Sequence, residues 1–503
     1  MTTFSTAQVQ PATGSPPAGE SSRPLLALAG YIGTLAASAV LFEYWQAEPV
    51  PGEAYLLGMC LLAVCLLPIA IWQAGVRRSA PMFELLCMAF AIAFAVPVFL
   101  HENSIRAFNS YAVLDWAVTQ RAQRFSLLGI AAMIAGYYLF QRSPMASWLP
   151  RADLPMDPRR FPKFLFVAFG IGGGLQVLDR LTGNRLIMGL TGAVFSLISF
   201  VIGVGIALLA FRVFGPGTES RRYSKLFLYC ATGATAVIGT TTGMLEAGFI
   251  PLLALLAARW TASQRIPVAW LVAGGVAVVV MNAAKQEYRR EVWLAEVAPT
   301  VPEQLAVWSD KVSEVAATLH TTEGINDAVV RTVNRFDMLH IFSHVLELTP
   351  GEVPYYGGAS YEYLLYGWIP RLLWRDKPIS MEANIMFALD YGLLIESQRD
   401  SVRMGIGFLT EAYANFGVGG VVVIMFVIGT LLSIAATIFN GPQSDGGKAA
   451  YVVVLAFFMN GLGSATTMFF FFALHGFIVL PLFLRYYARS WRAPAELPQS
   501  ESA

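Results

Sequence analysis

Residues 405–439 read GIGFLTEAYANFGVGGVVVIMFVIGTLLSIAATIF. One acid, Glu411, interrupts a run that otherwise carries no charge. About 20 apolar residues suffice to cross the hydrocarbon of a bilayer. The stretch therefore predicts a membrane helix over 406–439. Asn415 lies four residues after Glu411 and shares its helical face. A carboxylate within a membrane helix is expensive and marks a site by default. Two readings stand for Glu411. It is a general base, or it is a structural carboxylate bonded to a loop backbone or to an arginine.

The rest of the chain has the same character. Of its 503 residues, 56% are hydrophobic and 13% charged, with a mean hydropathy of +0.57. Globular domains carry about 25% charged residues. An ordinary soluble enzyme could not hide so much apolar surface. Apolar runs recur at 25–45, 54–74, 82–100, 125–140, 164–179, 187–211, 226–241, 246–258, 267–284, 406–439, 449–463 and 467–486. The pair on either side of Thr240–Glu246 is short, which fits two tilted helices or one broken re-entrant pair. The expectation is an all-α polytopic bundle of about 12 membrane helices.

Residues 1–23 are rich in Pro, Ser, Thr and Gly and should form a disordered cytoplasmic tail. They lack the basic start and short apolar core of a signal peptide. Basic residues set the orientation. With the N-terminus inside, 18 of the 34 Lys and Arg fall in inner segments and 5 in short outer ones. The other 11 lie in one long segment, 285–405. The expected layout is a tail at 1–23, helices over 24–284, a large extracytoplasmic loop at 285–405, helices over 406–486 and an inner tail at 487–503. A net charge of +1 excludes a generally basic nucleic-acid binder. Cys60, Cys65, Cys87 and Cys230 all lie in apolar runs and read as buried thiols.

A connection of about 120 residues is too long for a linker and is usually functional. Helical patterns appear within it at Leu305–Leu319, Gly324–Leu348 and Met381–Tyr391. Over Arg331–Glu347, Arg335 falls in the middle of the apolar face. A buried arginine must find an anion or a carboxylate, or else snorkel to an interface. Asp337, His340, His344 and Glu347 share the opposite, polar face. Their spacing could hold a metal, but a solvated face explains it as well, and no metal is expected. Tyr355–Lys377 interleaves aromatics such as Tyr361 and Trp374 with Arg371, Arg375 and Lys377. Aromatic faces stack on sugars and cations hold phosphate; an interfacial aromatic belt is the other reading. Arg289 and Arg290 come just after a span, where a membrane-anchored anion would emerge. The sequence holds no Walker A, GxSxG or HExxH motif.

Four pieces together resemble the Wzy-type polymerases of O-antigen and other oligosaccharide repeat units. They are KQEYRR at 285–290, VNRFDMLHIFSHVLEL at 333–348, YGGASY with IPRLLWRDKP at 356–378, and GFLTEAYANFGVGG at 407–420. Order and placement around one large loop match too. The chain departs from that family at 240–248, which lacks an arginine. The resemblance implies a GT-C-like membrane glycosyltransferase of the bacterial inner membrane, with both termini cytoplasmic. Its donor and acceptor would be oligosaccharides on undecaprenyl diphosphate, and undecaprenyl diphosphate would leave. It implies membrane lipid as surroundings, no cofactor, no nucleic acid, and a chain-length regulator and flippase as protein partners. On this reading Arg289, Arg290, Arg335 and Arg371 neutralise the diphosphate and Glu411 or Asp337 is the base. Lys377, Tyr361, Trp374 and Asn415 help to hold the glycan. An O-antigen-ligase-like transferase is the nearest alternative, and a lipid or glycan transporter a more distant one.

Overall fold

The computed structural model describes residues 23–45, 50–75, 79–100, 115–152, 154–181, 192–215, 222–241, 243, 245–295, 299–366, 369, 373–374, 376–378, 381–399, 405–441 and 445–488. Among these the chain is all-helical, and an isolated bridge between Met156 and Ala488 is the sole β pairing. Among the described residues, seven helices are long and apolar enough to cross a membrane. They include α1 (Arg23–Trp45), α2 (Gly52–Ala74), α3 (Met82–Leu100), α5 (residues 161–181) and α6 (Gly192–Phe214). The other two are α9 (Val268–Trp293) and α14 (Gly407–Phe439). The remaining expected spans coincide with α4 (Trp116–Arg142), α7 (Arg222–Thr240), α8 (Leu245–Ser263), α15 (Asp445–Met459) and α16 (Thr466–Tyr487). These five are shorter, or carry more polar residues. Helices of 19 residues each, α7 and α8, flank the segment around Thr240–Glu246.

The α4–α14 pair forms the most extensive helix contact. Their backbones approach so closely that only glycine fits. A Cβ on Gly429 would lie 1.9 Å from the Met133 carbonyl oxygen, and one on Gly136 would lie 2.3 Å from that of Phe426. Small residues at a crossing let membrane helices gain dispersion contacts that lipid cannot outcompete. By contrast, Gly274 and Gly275 on α9 meet nothing within 4 Å. Residues 272–277 of α9 are exposed on every side of the helix. One end of α9 is fixed by Trp270 against Phe214 and Tyr229. Its other end packs on helices of the long segment.

That segment folds into α10 (Val301–Thr318), α11 (Thr322–Phe336), α12 (Leu339–Leu348) and α13 (Glu382–Asp390). Thr300 and Glu303 form a capping box at the start of α10. Thr321 caps α11 by accepting from the Gly324 amide at 3.0 Å. The expected helix Gly324–Leu348 is broken in two. Asp337 leaves helical geometry at φ −68°, ψ 105°. Its side chain accepts from the His340 amide at 3.0 Å, a local bond that competes with helix continuation. The Met338 amide donates instead to the Ala93 carbonyl at 3.0 Å. Ala93 belongs to a π turn in α3, Ala91–Ala95. The break therefore docks the long segment onto α3.

Two further expectations are corrected. Only Cys65 and Cys87 are buried; Cys60 and Cys230 are exposed on apolar helices. And α14 has 33 residues, about 50 Å at 1.5 Å per residue, against about 30 Å of hydrocarbon. Its helix is interrupted at Gly417, with φ 65° and ψ −156°. The portion after Gly417 is long enough to span alone.

Gly429→Ala should lower thermal stability by about 1–3 kcal/mol through overpacking of α4 on α14. Gly275→Ala, on the open face of α9, should be neutral or slightly stabilising. Thermal unfolding of both purified variants in detergent checks this.

Candidate functional site

Three groups of polar side chains lie where the long segment meets the bundle. The first surrounds Glu411, which has no exposed surface. Its Oε1 accepts from the Ser360 hydroxyl at 2.7 Å and its Oε2 from the Thr466 amide at 2.6 Å. Asn384 accepts from the neighbouring Ala465 amide at 2.7 Å. Two acceptors from distant segments thus satisfy the first amides of α16, where the helix dipole also favours a carboxylate. Asn415 donates to Ser360 Oγ at 2.8 Å and accepts from the Gly358 amide at 2.9 Å. The Tyr361 hydroxyl is buried beside this cluster. Burial, and then the Glu411 charge, push its phenol well above the usual tyrosine range, so it stays protonated. Glu411 therefore pins three segments together. Both of its oxygens are engaged and no solvent reaches it.

The second group is a ledge on the last turns of α9. Tyr288 donates to the Thr241 carbonyl at 2.7 Å and Arg289 Nε to the Gly243 carbonyl at 2.9 Å. Trp308, from α10, donates to the Thr240 carbonyl at 3.0 Å. The α7–α8 turn, which has no arginine of its own, thus receives Arg289 from α9. The Arg289 guanidinium also lies 4.3 Å over the Trp293 ring. One turn below, Lys285 is buried and donates to Asn282 Oδ1 at 3.2 Å, while Asn282 donates to the Arg331 carbonyl at 3.1 Å. Arg290 differs. It is exposed and paired with Glu287 at 2.6 Å, an ion pair of little energetic weight.

The third group is a buried pair, Asp337 and His340. Asp337 Oδ2 contacts His340 Nδ1, and both side chains are at most 7% exposed. An unbroken helix would put His340 on a solvated face; the helix break turns it inward. His344 also turns inward, its Nε2 donating to the Tyr391 carbonyl at 2.9 Å. Arg335 moves the opposite way. The helical pattern places it within an apolar face, but it ends α11 just before the break and is exposed. α11 packs on both α9 and α3, so Arg335 lies on the bridge between ledge and pair.

Of the aromatic stretch, Trp374 is exposed and meets Tyr366 edge-on, with ring centroids 5.6 Å apart. Lys377 donates to the Ile369 carbonyl at 2.8 Å. Arg371 and Arg375 lie outside the described residues. Among the described residues no three His, Cys, Asp or Glu side chains cluster as a metal site would require. Sequence reasoning missed Ser360, Asn384, Lys285 and Trp308. Ser360, Asn384 and Trp308 take their roles from partners 51, 81 and 68 residues away, which no local spacing reveals.

Residues 98–462 match a family described as a domain of unknown function, DUF8712. No curated protein and no solved structure matches the chain.

Removing the Glu411 carboxylate strands the Thr466 amide and the Ser360 hydroxyl. Glu411→Ala should therefore cost about 1–3 kcal/mol. Glu411→Gln can still accept from Thr466 and donate to Ser360, and should unfold within a few degrees of the parent. Melting curves of the two variants decide between a pin and a group whose charge is required.

Proposed function

The chain belongs to the DUF8712 family, and we propose that it is a membrane glycosyltransferase joining oligosaccharide repeat units carried on undecaprenyl diphosphate. In this reading it lies in the bacterial inner membrane with twelve spans in a GT-C-like arrangement. Both termini are cytoplasmic, and the segment after α9 faces outward, as the distribution of Lys and Arg favours. The observation that carries the reading is α9. Residues 272–277 of its apolar stretch stand exposed on every side, and its continuation carries Lys285 and Arg289 among Tyr288, Trp293 and Trp308. A long apolar chain with an anionic head fits that combination.

The chemistry rests on the three groups. Charge develops on the departing diphosphate, and preorganised cations stabilise it. Lys285 and Arg289 supply them from the ledge, and exposed Arg335 from the bridge. The acceptor hydroxyl oxygen bonds to the donor's anomeric carbon as the bond to the diphosphate oxygen breaks. The hydroxyl proton passes to the Asp337–His340 pair. Asp337 holds the Nδ1–H tautomer and steadies the imidazolium, the logic of a carboxylate–imidazole couple. Glu411 and Asn415 position the segment that carries Tyr361, next to the glycan-stacking aromatics around Trp374.

In cells lacking the gene, carrier-linked glycan should collapse to a single repeat unit and return to a ladder with the parent chain. His340→Ala at equal expression should abolish the ladder, and Arg289→Ala should reduce it by about 10-fold or more, as loss of a charge-assisted contact implies. A full ladder with His340→Ala removes the proposed base. Long polymer that stays on the carrier without the gene points to a ligase instead. Unchanged carrier-linked glycan overturns glycosyl transfer altogether.

A further inference from the structure

A basic patch lies at the opposite end of α14 from Glu411, where the connection from α4 to α5 crosses three other helix ends. Backbone bonds dock that connection. The Ala152 amide donates to the Ile438 carbonyl at the end of α14, at 2.8 Å. The Gly446 amide at the start of α15 donates to the Leu154 carbonyl at 3.1 Å. The Asp157 amide donates to the Tyr487 carbonyl at the end of α16, at 3.0 Å. The first turn of α5 packs against that same end. The ring centroids of Phe164 and Tyr487 are 5.2 Å apart, and Phe161 and Phe164 are both buried. Lys163, between them in sequence, is exposed.

Four exposed cations stand on these segments: Arg159, Arg160, Lys163 and Arg485. Arg160 Nη1 donates to the Tyr486 carbonyl, and its guanidinium lies 5.4 Å over the Tyr486 ring. That fixes a planar donor fork at the surface. Its Nε stands 3.8 Å from an Asp157 carboxylate oxygen. Arg159, Lys163 and Arg485 form no ion pair among the described residues. Exposed Arg124, Arg290 and Arg331, by contrast, each hold a carboxylate. Cations gathered with so little opposing charge repel one another, and an external anion relieves them. Apolar surface continues from the cations. Ile478, Leu482 and Arg485 follow at i, i+4 and i+7 and are exposed along one face of α16. On α5, Phe166 is 67% exposed and stands three residues after Lys163. We propose that the patch binds the phosphate of an anionic phospholipid, with the acyl chains along these apolar residues. Arginine forks and lysine ammonium groups both suit phosphate. A zwitterionic lipid fits less well, because its own ammonium cancels the charge and faces the cations. A soluble anion would use the cations and leave the apolar residues uncovered. The proposal depends neither on the transfer reaction above nor on which side of the membrane the patch faces.

The full chain in nanodiscs tests it. The discs hold equal parts of phosphatidylglycerol and phosphatidylcholine with the same acyl chains. Native mass spectrometry then reads which lipid stays bound. The parent chain should retain phosphatidylglycerol in preference, and high salt should weaken that preference. Lys163→Gln and Arg485→Gln should each lower it by about 5-fold, the usual worth of one cation at an anionic lipid surface. Arg331→Gln makes the same charge change on α11 and should leave it unaltered. If the Lys163 and Arg485 variants do not fold, Arg159→Gln takes their place. Equal retention of the two lipids by the parent overturns the proposal. So does an undiminished preference in the folded patch variants, or an equal loss in Arg331→Gln, which reports bulk charge alone. Inorganic phosphate is also titrated into discs of phosphatidylcholine only. A saturable rise in Tm there, with no preference between the lipids, assigns the patch to a soluble anion and overturns the lipid site.

Discussion

The break in α14 at Gly417 is what joins the two halves of this protein. In an unbroken helix the carbonyls of Ala414 and Asn415 would accept from amides four residues on. At Gly417 the backbone takes a positive φ that only glycine adopts readily. The Tyr356 amide then donates to the Ala414 carbonyl at 3.0 Å, and that of Gly357 to Asn415 at 3.1 Å. The loop so docked brings Ser360 within reach of Glu411 and Asn415. Each such bond is worth only about 1 kcal/mol net, but leaving its partners unpaired costs more. Helix break and loop conformation therefore require each other. Neither is stable as a local feature.

A straight helix of 33 residues is longer than the hydrocarbon is thick at ordinary tilt. α14 is divided at Gly417, and its residues before the break pack against α12 and α4. Phe342, Tyr413 and Phe125 pack there as aromatic neighbours. This setting changes the meaning of Glu411. A carboxylate facing lipid would need a functional reason. A carboxylate that terminates α16 and receives a serine hydroxyl is a fully satisfied group in a protein core.

The membrane character, the long segment and its first and last helices were legible in the sequence, because apolar length and capping residues are local signals. What was not legible depended on partners. Apolar periodicity runs through Asp337 without pause, so it reads as one helix; the bond from Met338 to Ala93 lies some 240 residues away in sequence and left no trace in the spacing. With the break unseen, Arg335 and His340 fall into each other's surroundings. The start of α14 is as apolar as the rest because protein core and lipid select the same residues. The same ambiguity makes Cys60 and Cys230 look like core thiols. Arg289 was found through its position after a span. Its bond to Gly243 rests on the fold of a turn that spacing does not encode.

The arrangement separates the cationic ledge from the Asp337–His340 pair. The ledge rides on α9, which has few neighbours within the membrane. The pair is fixed to α3 through Met338 and sits in the packed core. α11 packs on both α9 and α3, and Arg335 stands near its end. On the proposed reading a diphosphate-linked sugar suits two such groups, because its anomeric carbon is bonded directly to the anion that the cations hold. The headgroup of a simple phospholipid offers no comparably electrophilic carbon at that position.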